Sequence, residues 1–98
     1  MLNQVVLVGR LINEVEAKEN EYFTKIAVSR GYKNENGEYD TDFVSIRLSK
    51  IIGDSISNYF KKGDLIGIRG RIESENDNII IIAEKVTFLS SKKDKEEE

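Results

Sequence analysis

Between residues 42 and 48 the chain alternates cleanly: Val44, Ile46 and Leu48 fall on one side of an extended segment, Phe43, Ser45 and Arg47 on the other. A period of two is what a strand with one buried face requires. The same reading sets Ile66, Ile68 and Ile72 opposite Arg69 and Arg71 in residues 64 to 72. It sets Ile26 and Val28 opposite Lys25 and Ser29 in residues 22 to 30. Residues 4 to 12 are apolar on both faces, so that either Val5 with Leu7 or Val6 with Val8 enters the core. A last strand runs from Ile79 to about Leu89. Between these segments the period changes: Ile52, Ile56, Tyr59 and Phe60 recur at helical spacing, with Ser49 as N-cap and Gly63 as C-terminal stop. This predicts one amphipathic helix over roughly residues 50 to 61, with Tyr59 and Phe60 in the core.

The connections carry turn chemistry. Asn36-Gly37 closes a hairpin, because both residues tolerate positive φ. Residues 73 to 78 read as a short polar turn, and residues 91 to 98 as a charged, disordered tail after a single domain over 1 to 90. Three strands, a helix, then two strands define an all-β chain with one helix. This is the element order of an OB-fold five-stranded Greek-key β-barrel, with the helix between strands 3 and 4.

Composition narrows the chemistry. The chain has no His and no Cys, which removes the commonest general base, the thiolate nucleophile and the usual metal ligands. Asp40 and Asp42 share a strand face, but no third ligand stands at a telling spacing, so they read as solvated charges beside a turn. We therefore expect no enzyme, no cofactor and no metal. The longest apolar run, Ile79 to Ala83, is too short to cross a bilayer, and the first residues lack a signal peptide's pattern, so a cytoplasmic, nucleoid-associated protein is expected. Net charge is −3; three lysines against four acids in residues 92 to 98 leave −1 there and −2 in the rest. A nucleic-acid partner therefore needs a local basic face on a mildly acidic body.

Alternation supplies such a face. With Val44, Ile46 and Leu48 turned inward, Phe43 and Arg47 point out, as do Lys25 on the second strand and Arg69 and Arg71 on the fourth. Arg30, Tyr32 and Lys33 fall at the hairpin base, with Tyr39 across the turn. One exposed ring is ordinarily a cross-strand packing group and one Arg a solvated charge. Rings interleaved with cations on one face instead form a stacking platform beside a phosphate-attracting surface. Tyr22, Phe23 and Phe88 read as packing groups, and Lys61 and Lys62 as complements to the helix C-terminus, with Lys62 also within reach of phosphate. The apolar outer face of the first strand calls for a covering subunit, so a homo-oligomer is expected.

Several segments resemble bacterial single-stranded DNA-binding proteins. They are Met1-Leu-Asn-Gln-Val-Val-Leu-Val-Gly-Arg-Leu11, Ala27-Val-Ser-Arg-Gly-Tyr-Lys-Asn-Glu-Asn-Gly37, Asp42-Phe43, Asn58-Tyr-Phe-Lys-Lys-Gly63, Gly70-Arg71-Ile72 and Val86-Thr-Phe-Leu89. They follow the family's order over about residues 1 to 90. The resemblance implies an OB fold, homotetramers (with a dimer left open), and single strands wrapped over aromatic and basic residues. Tyr32 and Phe43 match family stacking positions and Lys62 a basic one. Ser49 stands where many members carry a stacking aromatic. The hairpin of residues 73 to 78 is short and lacks the usual aromatic and basic residues, so the resemblance implies weaker binding or a smaller footprint. The sequence shows no Gly/Pro-rich linker with an acidic, Phe-ended tip, which argues against recruiting replication proteins by that route. The alternative function is a primosomal-type OB protein-interaction module with secondary DNA binding.

Overall fold

The computed structural model describes residues 1 to 91, so the charged tail lies, from residue 92 onward, outside the described residues. The alternating segments become β1 (Val5–Leu11), β3 (Glu21–Lys33), β4 (Tyr39–Leu48), β5 (Leu65–Glu75) and β6 (Asn78–Ser90). A short β2 (Glu16–Lys18), which the hydrophobic pattern does not announce, pairs along β3. The neighbours run β1-β5-β6-β4-β3, and β3 returns to β1 through Arg10↔Ala27 and Leu11↔Ile26, closing a five-stranded barrel. Among the described residues only the β4–β6 pair is parallel. The helix α1 (Lys50–Tyr59) follows the third barrel strand, as expected; β2 makes that strand the fourth in chain order.

The barrel interior is a core of isoleucines. Ile26, Ile46, Ile56, Ile66 and Ile68 are fully buried, joined by Leu11, Leu48 and Ala83. Each buried Ile or Leu side chain contributes about 1.5–3 kcal/mol by leaving water. The outcome of alternation in β4 is as expected, with Val44, Ile46 and Leu48 inward. In β1 the inward pair is Val5 and Leu7, which leaves Val6 and Val8 exposed.

Ser49 caps α1, its side chain accepting a hydrogen bond from the Ile52 backbone N–H at 3.2 Å. The helix is shorter than the spacing predicts. It ends at Tyr59 with Phe60 as an extended C-cap, and Gly63 (φ 95°) belongs to the following turn, where the Lys61 N–H donates to Asp64 at 2.7 Å. Tyr59 corrects a second expectation. It is 78% exposed, not core, because it is the last helical residue, and Phe60 instead meets Phe88 edge-on at 5.9 Å.

The polar stretch 73 to 78 is a third correction, since most of it is strand. Only Asn76 and Asp77 form the turn, both at positive φ (51° and 66°), the conformation of a two-residue hairpin whose twist matches its strands. Glu19 and Asn20 make the same kind of turn between β2 and β3. Gly70 is required for a different reason. A Cβ there would lie 2.1 Å from the Ile82 carbonyl oxygen, beside the point where β6 skips Glu84 in its pairing.

Candidate nucleic-acid interface

Strand pairing fixes which outward side chains are neighbours. On β4 and β3 the outward pairs are Phe23 with Arg47, Lys25 with Ser45, Ala27 with Phe43 and Ser29 with Thr41. Ala27 also pairs with Arg10 of β1, so Arg10, Ala27 and Phe43 form one row across three strands, spaced about 5 Å apart. Ala27 is small, and the Phe43 ring stands 64% exposed above it. Arg10 is half-buried and donates to the Gly63 carbonyl at 2.9 Å. Sequence reasoning passed over Arg10 because it lies in an otherwise apolar strand; only the β1–β3 closure brings it into line with Phe43.

Toward the hairpin tip, Lys33 pairs with Tyr39, and its ammonium lies 5.8 Å from the centre of that ring. Tyr39 is four residues from Phe43 along β4, so both rings share its outward face. Arg30 and Tyr32 lie elsewhere. The β3–β4 register slips by two residues between Ser29 and Lys33, and beyond the slip Arg30 grips Asp42, the neighbour of Phe43 that points to the opposite face. The grip is bidentate, at 2.9 and 3.1 Å, with Asp40 at 3.7 Å. Tyr32, exposed at 65%, follows Arg30 and interacts with it electrostatically. Arg30, Tyr32 and Lys33 thus stand in the distal arm of the hairpin rather than at its base, and Tyr32 with Arg30 belongs to the opposite side from Phe43. The hydrogen-bonded Arg30 guanidinium holds the Asp42 carboxyl below the usual carboxylate range and is itself raised by that partner.

The remaining cations divide in two. Arg47 and Arg71 share the outward row through Ile82, which pairs with both. Each is held by acids: Arg47 by Glu75 at 2.9 Å and Glu21 at 3.7 Å, Arg71 by Glu73 at 2.7 Å and Glu84 at 3.3 Å. Both guanidinium pKa values rise, mainly through their hydrogen bonds to Glu75 and Glu73 respectively. Lys25, Lys62 and Arg69 have no carboxylate partner among the described residues. Lys25 borders Phe43 diagonally, whereas Arg69 faces Val6 and Lys85 farther round the barrel. Lys62 follows the helix, beside a cavity lined by Leu11, Ile56 and Phe60.

Phe23, expected as packing, faces outward beneath the Arg47 guanidinium, 5.5 Å from its ring centre. Asp40 and Asp42 do share a face, and both are turned to Arg30. No group of three or more potential metal-ligating side chains occurs among the described residues, and no described helix is long and apolar enough to cross a membrane.

Comparison with known proteins places this barrel. Residues 2–89 match the model of the single-strand binding protein family. A single-stranded DNA-binding protein of Streptococcus mutans is 42% identical over 82 residues, covering 78% of this chain and 49% of that protein. The chain thus spans about half the length of that relative. Among solved structures, the mitochondrial single-stranded DNA binding protein Rim1 of S. cerevisiae superposes with a TM-score of 0.73 at 16% identity, over 93% of this chain and 99% of that one. A Plasmodium falciparum SSB in complex with ssDNA superposes with a TM-score of 0.70 at 22% identity, over 92% and 96%. At these identities the two structures establish the OB fold.

Proposed function

The chain belongs to the single-strand binding protein family, and on that premise we propose that it binds single-stranded DNA without reading its sequence, by stacking bases on the outer face of the barrel. The observation that carries the reading is Phe43, an apolar ring held in water on a rigid strand with Lys25 as its unpaired neighbour. Every base has a π-face, so such a ring accepts any of them for about 1–3 kcal/mol per base. Lys25, Lys33 with Tyr39, and Arg10 border this platform and offer charge to the phosphates. Tyr32 supplies a second ring on the far side of the β3–β4 arm, around which a strand can pass. Arg69 and Lys62 extend the positive surface round the barrel. Arg30, Arg47 and Arg71 join it only by exchanging carboxylate for phosphate.

The role that follows is protection of exposed strands during replication, recombination or repair, in the cytoplasm with the nucleoid, by binding rather than catalysis and without a cofactor. Oligomerisation has its own support. Val6 and Val8 are exposed, and Leu89 leans over Gly67 between them and β6, giving an apolar outer strip on β1 and β5. Across from β5, residues 5 to 9 of β1 have no second partner strand among the described residues. A homotetramer fits this surface, with a dimer as the smaller assembly, and light-scattering mass separates them. The family match does not favour the alternative, a primosomal-type interaction module.

Titration with oligothymidylate at several salt concentrations tests the function. Binding should far exceed that to duplex, weaken with salt, and largely vanish in Tyr32→Ala/Phe43→Ala. Unchanged affinity in that variant rejects the stacking assignment.

A further inference from the structure

Arg47 is held, but held incompletely. Its Nη1 donates to Glu75 at 2.9 Å, its Nη2 reaches the other Glu75 oxygen only at 3.5 Å and approaches Glu21 at 3.7 Å, while Nε is buried with no acceptor. A guanidinium presents all its donors in one rigid fork, and a buried N–H without a partner destabilises the arrangement that hides it. The two glutamates are loose clamps. Glu21 opens β3 and Glu75 directly precedes the Asn76–Asp77 turn, and their side chains are 48% and 51% exposed. Ion pairs so exposed are screened and exchange readily. Phosphate presents oxygens to the same fork with the same bidentate geometry.

Release of Arg47 has a second effect, because its guanidinium covers the Phe23 ring. Phe23 and Phe43 lie on the same outward face, with Lys25 and Ser45 between them. Arg47 is four residues from Phe43 along β4, about 13 Å. We propose that Glu75 and Glu21 compete with nucleic-acid phosphate for Arg47, and that Arg47 keeps Phe23 closed as a second stacking platform until a strand long enough to reach from Phe43 displaces them. The inference rests on the single-strand binding reading and adds to it a footprint in two parts. One part is open at rest around Phe43 and Lys25; the other is opened by the strand itself.

The experiment compares short and long oligothymidylates across a salt series for the wild type, Glu75→Gln, Glu75→Gln/Arg47→Gln, and Asp54→Asn as a charge control on the exposed side of α1. Gln keeps the length and hydrogen-bonding of Glu75 but not its charge. Glu75→Gln should tighten binding of long oligonucleotides by about two- to fivefold, the size of an exposed ion pair's contribution. The plot of log affinity against log salt should steepen by up to about 0.7, because the Glu75 carboxylate that the strand frees in the wild type takes back a cation and the neutral Gln does not. Short oligonucleotides should bind as before. The steepening should disappear in the double variant, which has no guanidinium to offer phosphate, and Asp54→Asn should not reproduce it. In wild-type protein, the Arg47 Nε–H proton resonance should move on adding a long oligonucleotide and stay still with a short one. An unchanged slope in Glu75→Gln, or a steepening that survives Arg47→Gln, overturns the proposal while wild-type binding leaves the functional reading standing. A wild type that binds no oligothymidylate overturns that reading and the inference with it.

Discussion

The outer surface of the barrel has two halves that meet at β4. On the β3 side, Lys25 stands unpaired beside Phe43, and Lys33 rests on the Tyr39 ring. On the β5–β6 side, Arg47 and Arg71 are each matched to two glutamates. Both halves are rich in cations, yet next to β4 only the β3 half offers them; Arg69 is unpaired but lies farther round the barrel, beside Lys85. The contrast follows from side-chain chemistry. Guanidinium is a planar fork that fits a carboxylate within the same sheet, whereas ammonium is a hydrated point charge that gains less from a fixed partner. A count of positive residues thus overstates the charge available to a ligand, and a net charge of −3 does not preclude a basic surface where the lysines are left alone.

The sharpest test of this division is Phe43→Ala. It should cost about 1–3 kcal/mol of oligothymidylate affinity. Ile82→Ala, in the same sheet between the paired arginines, should cost under about 0.5 kcal/mol. Equal losses would break the comparison. Next in size is the salt response. Lys25→Gln with Lys33→Gln should flatten the dependence of log affinity on log salt by about 1.4, or two phosphate contacts. Arg71→Gln alone should flatten it by about 0.3 or less, because its charge is already committed. A larger change for Arg71 would merge the two halves.

The smallest effect is the response to acid. The Arg47 hydrogen bond holds the Glu75 carboxyl below its ordinary value of 4.5, and Arg30 does the same for Asp42 below 3.8. A carboxylate with a depressed folded-state pKa stabilises the fold above its ordinary value and loses that contribution as pH falls through the depressed one. Thermal melts followed by circular dichroism should therefore drop between about pH 4.5 and the acid limit, and less steeply in Arg47→Gln. Lys25→Gln should follow the wild type throughout. If Arg47→Gln did so as well, the carboxylate clamp would have no energetic content.

Much of this architecture was legible in the chain. Alternation alone separates Val44, Ile46 and Leu48 from Phe43 and Arg47, and the return to a period of 3.6 marks α1 with its Ser49 cap. The site was legible only where strands stay regular. The two-residue slip between Ser29 and Lys33 keeps the alternation in phase, so spacing alone sets Arg30 and Tyr32 on the face opposite Lys25 and Phe43; what it hides is the partner, since the slip is irregular where Arg30 meets Asp42. The turn at Glu19-Asn20 escapes notice, and the one at Asn76-Asp77 is read too wide, because neither contains the glycine that usually marks positive φ. The ion pairs are less visible still. Arg47 and Glu75 are 28 residues apart, and only the register of β4, β6 and β5 brings them together. Tyr59 had the right angular position for the core and the wrong axial one.

Ser49 carries one more consequence. Its hydroxyl starts the helix, at a position where the family resemblance leads one to expect a stacking ring. Any attempt to lengthen the stacking track by engineering Ser49→Phe trades one task against the other. The variant would lose the bond to the Ile52 N–H, a change that typically costs about 1 kcal/mol. It would also loosen the end of α1 where Gly53 lies close against Tyr22, a spot with no room for even a methyl group to enter freely. Under the proposed binding mode a ring here would be gained only by giving up the helix cap, so a tighter-binding version of this barrel is better sought at Glu75 than at Ser49.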